Sequence, residues 1–66
     1  MPDNENLRQS ATRMVGKSIG EAKNIYPFVR VVKQDGVPLF LTMDMNPNRI
    51  NVETEEGRIT RIAGYY

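Results

Sequence analysis

The sequence contains no cysteine, no histidine and no tryptophan. Without cysteine there is no disulfide framework, and without cysteine or histidine there is no thiolate or imidazole to hold a structural zinc. A chain of 66 residues buries only about 60% of the surface that its unfolded form exposes, so this fold must rest on packing alone. The same absences thin out catalysis, because no imidazole base, no thiolate nucleophile and no serine beside a credible base can be found. Nor is there chain enough to enclose a substrate pocket. The protein is not expected to be an enzyme, and no metal or cofactor is expected.

Charge of one sign is lacking too. Nine Lys and Arg stand against eight Asp and Glu, a net charge of +1, and the basic residues form no block, which leaves nucleic-acid binding without an electrostatic footprint. No run approaches the roughly 20 apolar residues of a membrane span. The opening MPDNENLRQSATR is polar throughout and has no apolar core of a signal peptide, so the chain is read as cytosolic or as a mature form that has lost a leader. A soluble monomer is expected. Residues 1–12 carry one large apolar side chain, Leu7, and are expected to form a flexible tail, with residues 13–66 as the domain.

What is present reads as α+β. Ser18 and Glu21 have the spacing of a capping box, each side chain reaching the other's amide, so a helix is predicted from Ile19. Ile19, Ala22, Ile25 and Tyr26 fall on one face of it, and Pro27 stops it. At two turns it must lean on a sheet. Phe28 to Lys33 reads as a first strand with Val29 and Val31 on one face. Arg49 to Thr54 reads as a second, with Ile50, Val52 and Thr54 on one face and Arg49, Asn51 and Glu53 on the other. Glu55-Glu56-Gly57 makes a turn into a third strand, Arg58 to Ala63, and Tyr65 and Tyr66 are expected to pack at the sheet edge.

The connection between the first two strands, Gln34 to Asn48, is long for so small a domain. It holds VPLFLTMDMNPNR, a run of large apolar residues that breaks off into Asn46, Pro47 and Asn48. In one reading Asp35-Gly36 is a type I′ turn and Val37 to Thr42 pairs back on the first strand. In the other, part of the run is an exposed binding loop. A hairpin that ends by Leu41 would satisfy both. Leu39 and Leu41 could contact a partner or fill the core, Met43 and Met45 at period two could be core residues of a strand, and Arg49 with Asp44 could be an ordinary surface pair.

Met14-Val15-Gly16-Lys17-Ser18-Ile19-Gly20-Glu21-Ala22-Lys23 and Thr42-Met43-Asp44-Met45-Asn46-Pro47-Asn48-Arg49-Ile50-Asn51-Val52 together resemble the potato inhibitor I type of serine-protease inhibitor. Gly57 to Ile62 brings the likeness nearest to a microbial branch that includes fungal elastase inhibitors. The resemblance covers residues 14–64. It implies a helix packed on a small mixed β-sheet, the first two strands parallel, with an extended binding loop between them that enters a protease like a substrate. The reactive-site loop would be Leu41, Thr42, Met43, Asp44 and Met45, with Met43-Asp44 as the bond at the place of cleavage and Met43 in the primary specificity pocket. An unbranched thioether suits an apolar pocket, so the implied partners are chymotrypsin-, elastase- or subtilisin-like enzymes.

The resemblance also implies that basic side chains on the strand after the loop reach back to hold it. Arg49 matches the first of these. Asn51 stands where the family carries a second arginine, and Arg61 is a candidate substitute. The segment before Thr42 is longer than in the plant and leech members, and the tryptophan that usually precedes the Val-Gly-Lys motif is missing. The alternative from another class is a non-inhibitory interaction module that binds a partner through an exposed strand edge or loop.

Overall fold

A computed structural model describes residues 5–66, which fold as an α+β domain: helices α1 (Glu5–Met14) and α2 (Ile19–Ile25), then strands β1 (Val29–Gln34), β2 (Val37–Pro38), β3 (Ile50–Glu55) and β4 (Arg58–Gly64). The strands make one mixed sheet in the order β2-β1-β3-β4. β1 and β3 are parallel, while β1 with β2 and β3 with β4 are antiparallel.

The capping box is present as the sequence required. The Ser18 hydroxyl accepts from the Glu21 amide at 3.2 Å, and a Glu21 carboxylate oxygen accepts from the Ser18 amide at 3.1 Å. The Ser18 amide, and next the Ser18 hydroxyl, which donates to the same carboxylate oxygen at 3.0 Å, hold the Glu21 carboxyl below its ordinary range. α2 turns Ala22 fully into the core, with Ile19, Ile25 and Tyr26 packed at its margin.

The N-terminal expectation needs correction. Residues 1–4 of the expected tail lie outside the described residues, but residues 5–12 belong to a ten-residue helix. Leu7, Ala11 and Met14, at i, i+4 and i+7, share one face and are buried against Ala22, Ile50, Val52 and Ile59. The polar remainder of the segment is its solvent face. Sparse apolar residues at helical spacing are enough where a neighbouring core receives them, so the domain has two helices where one was expected. Met14, the largest fully buried side chain, closes the core in a chain that has no tryptophan.

Both glycine turns form. Asp35 and Gly36 have φ of 50° and 82°, and Glu56 and Gly57 have 52° and 78°, the positive pair that a type I′ hairpin demands. The Asp35 carboxylate also accepts from the Glu56 amide at 2.8 Å, joining the two turns at one end of the sheet. The first hairpin is brief: after Pro38 a single bond, Leu39 amide to Val32 carbonyl at 3.0 Å, is its last rung. Pro38, which has no N–H to donate, is tolerated here because β2 is an edge strand. The expectation that pairing could run on to Thr42 is therefore corrected to a hairpin that releases the chain at Leu39.

β3 is central, and its buried face is Ile50, Val52 and Thr54 as the alternation predicts. Asn51, on the opposite face, is fully buried as well. What covers it forms the site described next.

Candidate functional site

Residues 40–48 leave the sheet at β2 and re-enter it at β3. Among the described residues, the main-chain amides of Phe40 to Met43 meet no acceptor within the chain. The return is built locally: Asn46 caps a turn over Pro47 and Asn48, its carbonyl accepting from the Arg49 amide at 2.9 Å and its side-chain oxygen from the Asn48 amide at 3.0 Å. Asn at the first position and Pro at the second are what a type I turn favours. The Tyr26 hydroxyl at the end of α2 donates to the Asn48 carbonyl and ties this turn to the helix layer. The polar end of the apolar run is thus the hinge that brings the loop back to β3.

Between these anchors the apolar side chains point outward. Phe40, Met43 and Met45 are 108%, 96% and 78% exposed, and Val37, Leu39 and Leu41 are exposed as well. None belongs to the core cluster, so the core readings of Leu39, Leu41, Met43 and Met45 are set aside. Met43 and Met45 lie beyond the end of the hairpin, and Leu39 and Leu41, 37% exposed, lie at its margin outside the core cluster.

One residue of the loop is held from several sides. The Asp44 carboxylate receives the Thr42 hydroxyl through one oxygen and Arg49 Nη1 at 3.0 Å through the other. Arg49 Nη2 also donates to the Asp44 carbonyl at 3.2 Å, so a single guanidinium fork grips both side chain and backbone immediately after Met43. Thr42 and Asp44 are thereby fixed on either side of a side chain that is almost wholly exposed. The Thr42 hydroxyl, with Arg49 second, lowers the Asp44 carboxyl from an ordinary 3.8 to about 2.

Sequence reasoning missed Arg30. It lies on β1 at the register partner of Asn51. Its Nε donates to Asn51 Oδ1 at 2.9 Å, its Nη1 to the Thr42 hydroxyl at 3.3 Å, and that nitrogen is 3.9 Å from Asp44 Oδ1. Asn51 in turn donates to the main-chain oxygens of Gly64 and Tyr66 at 3.3 and 2.9 Å, and Arg49 Nε reaches the same Tyr66 oxygen at 2.9 Å. The Arg30 guanidinium also lies 5.7 Å from the centre of the Tyr66 ring, a cation–π distance. Arg49, Asn51, Arg30 and Tyr66 form one polar network under the loop, and it leaves no buried side-chain polar atom without a partner among the described residues. The available signal was the alternation of FVRVVK, in which Arg30 falls on the face opposite Val29 and Val31.

Arg61 is not part of this network, which corrects its place as a loop support. It is paired in register with Glu53, two residues along β3 from Asn51, and its guanidinium sits 3.6 Å from that carboxylate with 72% of its side chain exposed. Asn51 does contribute, but as a relay between Arg30 and Tyr66. Tyr66 matters through its main-chain oxygen as well as its ring.

Among the described residues, no group of three His, Cys, Asp or Glu is placed to hold a metal ion, and no helix is long and apolar enough to cross a membrane.

The depressed carboxyl has a consequence for pH. Because the folded value lies below the unfolded one, Asp44 contributes stability that is fully present above about 3.8 and is lost as pH falls through about 2. The loop is expected to stay tied throughout the neutral and mildly acidic range and to loosen only below pH about 3. Asp44→Asn removes that dependence. Loop-amide hydrogen exchange as a function of pH, compared between the two proteins, measures it; identical profiles would sink the assignment.

The chain is 48% identical over 52 residues, 79% of its length, to an uncharacterized protein of Acanthamoeba polyphaga mimivirus. It spans 16% of that protein. No family model and no solved structure matches the chain.

Proposed function

We propose that this chain inhibits serine proteases by presenting the Met43-Asp44 bond as a substrate that is bound but turned over slowly. The observation that carries the reading is the contrast at that bond: Met43 is 96% exposed, while Thr42 before it and Asp44 after it are hydrogen-bonded to each other and to arginines of the sheet. A loop already ordered loses little entropy on docking. After acylation, the amine of Asp44 remains beside the acyl carbonyl, because Arg49 grips both its side chain and its carbonyl, and religation outruns hydrolysis. The partner is an enzyme with an apolar primary pocket, of the chymotrypsin, elastase or subtilisin kind. The register of the Met43-Asp44 bond is the one implied by the resemblance of residues 14–64 to potato inhibitor I proteins.

The test is a residual-activity titration of chymotrypsin, elastase and subtilisin, followed by mass spectrometry of the mixture. Stoichiometric inhibition, with any slow cut falling between Met43 and Asp44, is the expected result. Met43→Lys is expected to move inhibition towards trypsin, whose pocket demands a cation, by about 100-fold or more relative to chymotrypsin. An unchanged preference would remove Met43 from the primary position.

A second reading is favoured by a different observation. Phe40 is fully exposed and the amides of residues 40–43 are unpaired among the described residues, beside an edge strand; such a segment suits strand addition by a non-protease partner. Under that reading, Met43→Lys and Arg49→Ala leave partner binding intact, and Phe40→Ala abolishes it.

A further inference from the structure

The chain has four methionines and no cysteine, so every sulfur in it is a thioether. Their surroundings differ sharply. Met14 is fully buried in the core, whereas Met43 and Met45 are 96% and 78% exposed and stand immediately before and after Asp44. The side chains that hold the loop, Thr42, Asp44, Arg49 and Arg30, contain no oxidisable atom. Among the described residues, exposed sulfur is therefore concentrated on what the loop presents and absent from what holds it.

We propose that Met43 is an oxidative modification site in the free chain, and that its conversion to the sulfoxide by a hydroperoxide weakens the subsequent inhibition of the protease. The inference rests on the inhibitor reading and adds a regulation to it. In the reaction the sulfur lone pair attacks one peroxide oxygen and a sulfur–oxygen bond forms as the oxygen–oxygen bond breaks. The proton of the transferred hydroxyl passes to the departing oxygen. Sulfur loses two electrons, and hydrogen peroxide is reduced to one water. The product replaces a flexible apolar group by a polar, chiral one. In water this costs the exposed side chain nothing, so fold and loop geometry persist. Inside an apolar pocket the sulfoxide oxygen has no donor, and binding weakens. Met45 oxidises with similar ease but lies on the leaving side of the bond, outside the primary pocket. Because methionine sulfoxide is reducible by dedicated reductases, the change is reversible, unlike cleavage of the bond.

The experiment is a graded hydrogen-peroxide treatment of the folded protein, with peptide mapping of each methionine and a titration of the protease that the untreated chain inhibits best. Met43 and Met45 are expected to gain one oxygen each well before Met14, and the inhibition constant to rise about 10- to 100-fold as Met43 is converted. Methionine sulfoxide reductase restores inhibition. Met43→Leu keeps its own inhibition constant, whatever that is before treatment, after exposure to peroxide, whereas Met45→Leu loses inhibition as the parent protein does. Oxidation of Met14 as fast as Met43, full Met43 sulfoxide with undiminished inhibition, or loss of inhibition in peroxide-treated Met43→Leu each overturns the proposal while leaving the inhibitor reading standing. An untreated chain that inhibits none of the three enzymes overturns the inhibitor reading itself, and the oxidative control with it.

Discussion

If the chain is the inhibitor proposed above, Arg49→Ala is expected to make it a substrate, cut between Met43 and Asp44 about 100-fold faster than the parent protein, since a misplacement of about 1 Å suffices for such a change in reactivity. Arg49 supplies three of the bonds that fix the leaving side of the loop: to the Asp44 carboxylate at 3.0 Å, to the Asp44 carbonyl at 3.2 Å and to the Tyr66 main-chain oxygen at 2.9 Å. Without it, Asp44 keeps the Thr42 hydroxyl and the more distant Arg30, and nothing holds its backbone. Initial binding should weaken, because a loop no longer held must be ordered on docking. The larger change is in the fate of the acyl-enzyme, whose amine can now drift away and let water in. Arg30→Ala should have a smaller effect on the loop, where it makes one bond of 3.3 Å to Thr42. Its cost to the scaffold is of a different kind, since it strips the donor from the oxygen of a fully buried Asn51; a buried acceptor left unsatisfied costs about 1 to 3 kcal/mol. The two substitutions share Asp44 and Tyr66, so their effects should not add. A time course of residual protease activity, with mass spectrometry of the inhibitor at each point, measures both. Inhibition by Arg49→Ala as durable as that of the parent protein would show that the guanidinium fork is not what resists cleavage.

The parts of this arrangement that could be read from sequence are those written in local spacing. Ser18 and Glu21 mark a helix start because both bonds of a capping box span three residues. Asp35-Gly36 marks a turn because only a few residue types accept two successive positive φ values. Ile50, Val52 and Thr54 declare a strand by alternation. The pairing of Arg49 with Asp44 came from family resemblance, since a separation of five residues across a loop has no spacing rule of its own. Arg30 was out of reach for a related reason: its place beside Asn51 depends on the parallel register of β1 and β3, and register is a property of two distant segments. Arg61 was misplaced by the same gap. The β3–β4 pairing shifts register between Asn51 and Val52 and again between Glu53 and Thr54, and in it Arg61 stands opposite Glu53. Where the resemblance implied an arginine, Asn51 accepts from Arg30 of the neighbouring strand.

Helix α1 was misread because its apolar content is low, and the second large effect follows from its burial. Met14→Ala is expected to destabilise the protein by about 2 to 5 kcal/mol, the range for truncating a fully buried methionine whose cavity cannot collapse. A domain of this size without staples rarely has more than about 3 to 5 kcal/mol in reserve, so the variant should be substantially unfolded at 25 °C. Removing residues 1–12 should act in the same direction, because Leu7 and Ala11 pack in the same cluster as Met14; an unstructured tail would leave stability unchanged. Urea unfolding of the three proteins decides between these outcomes through the midpoint. Protease digestion then separates fold from loop. Loss of α1 exposes the whole chain, so cuts should appear along its length, whereas Arg49→Ala, with the core intact, should yield the single cut between Met43 and Asp44. Scattered cleavage of Arg49→Ala would mean that the arginine holds the fold rather than the loop, and a single cut in Met14→Ala would mean that the core does not depend on α1.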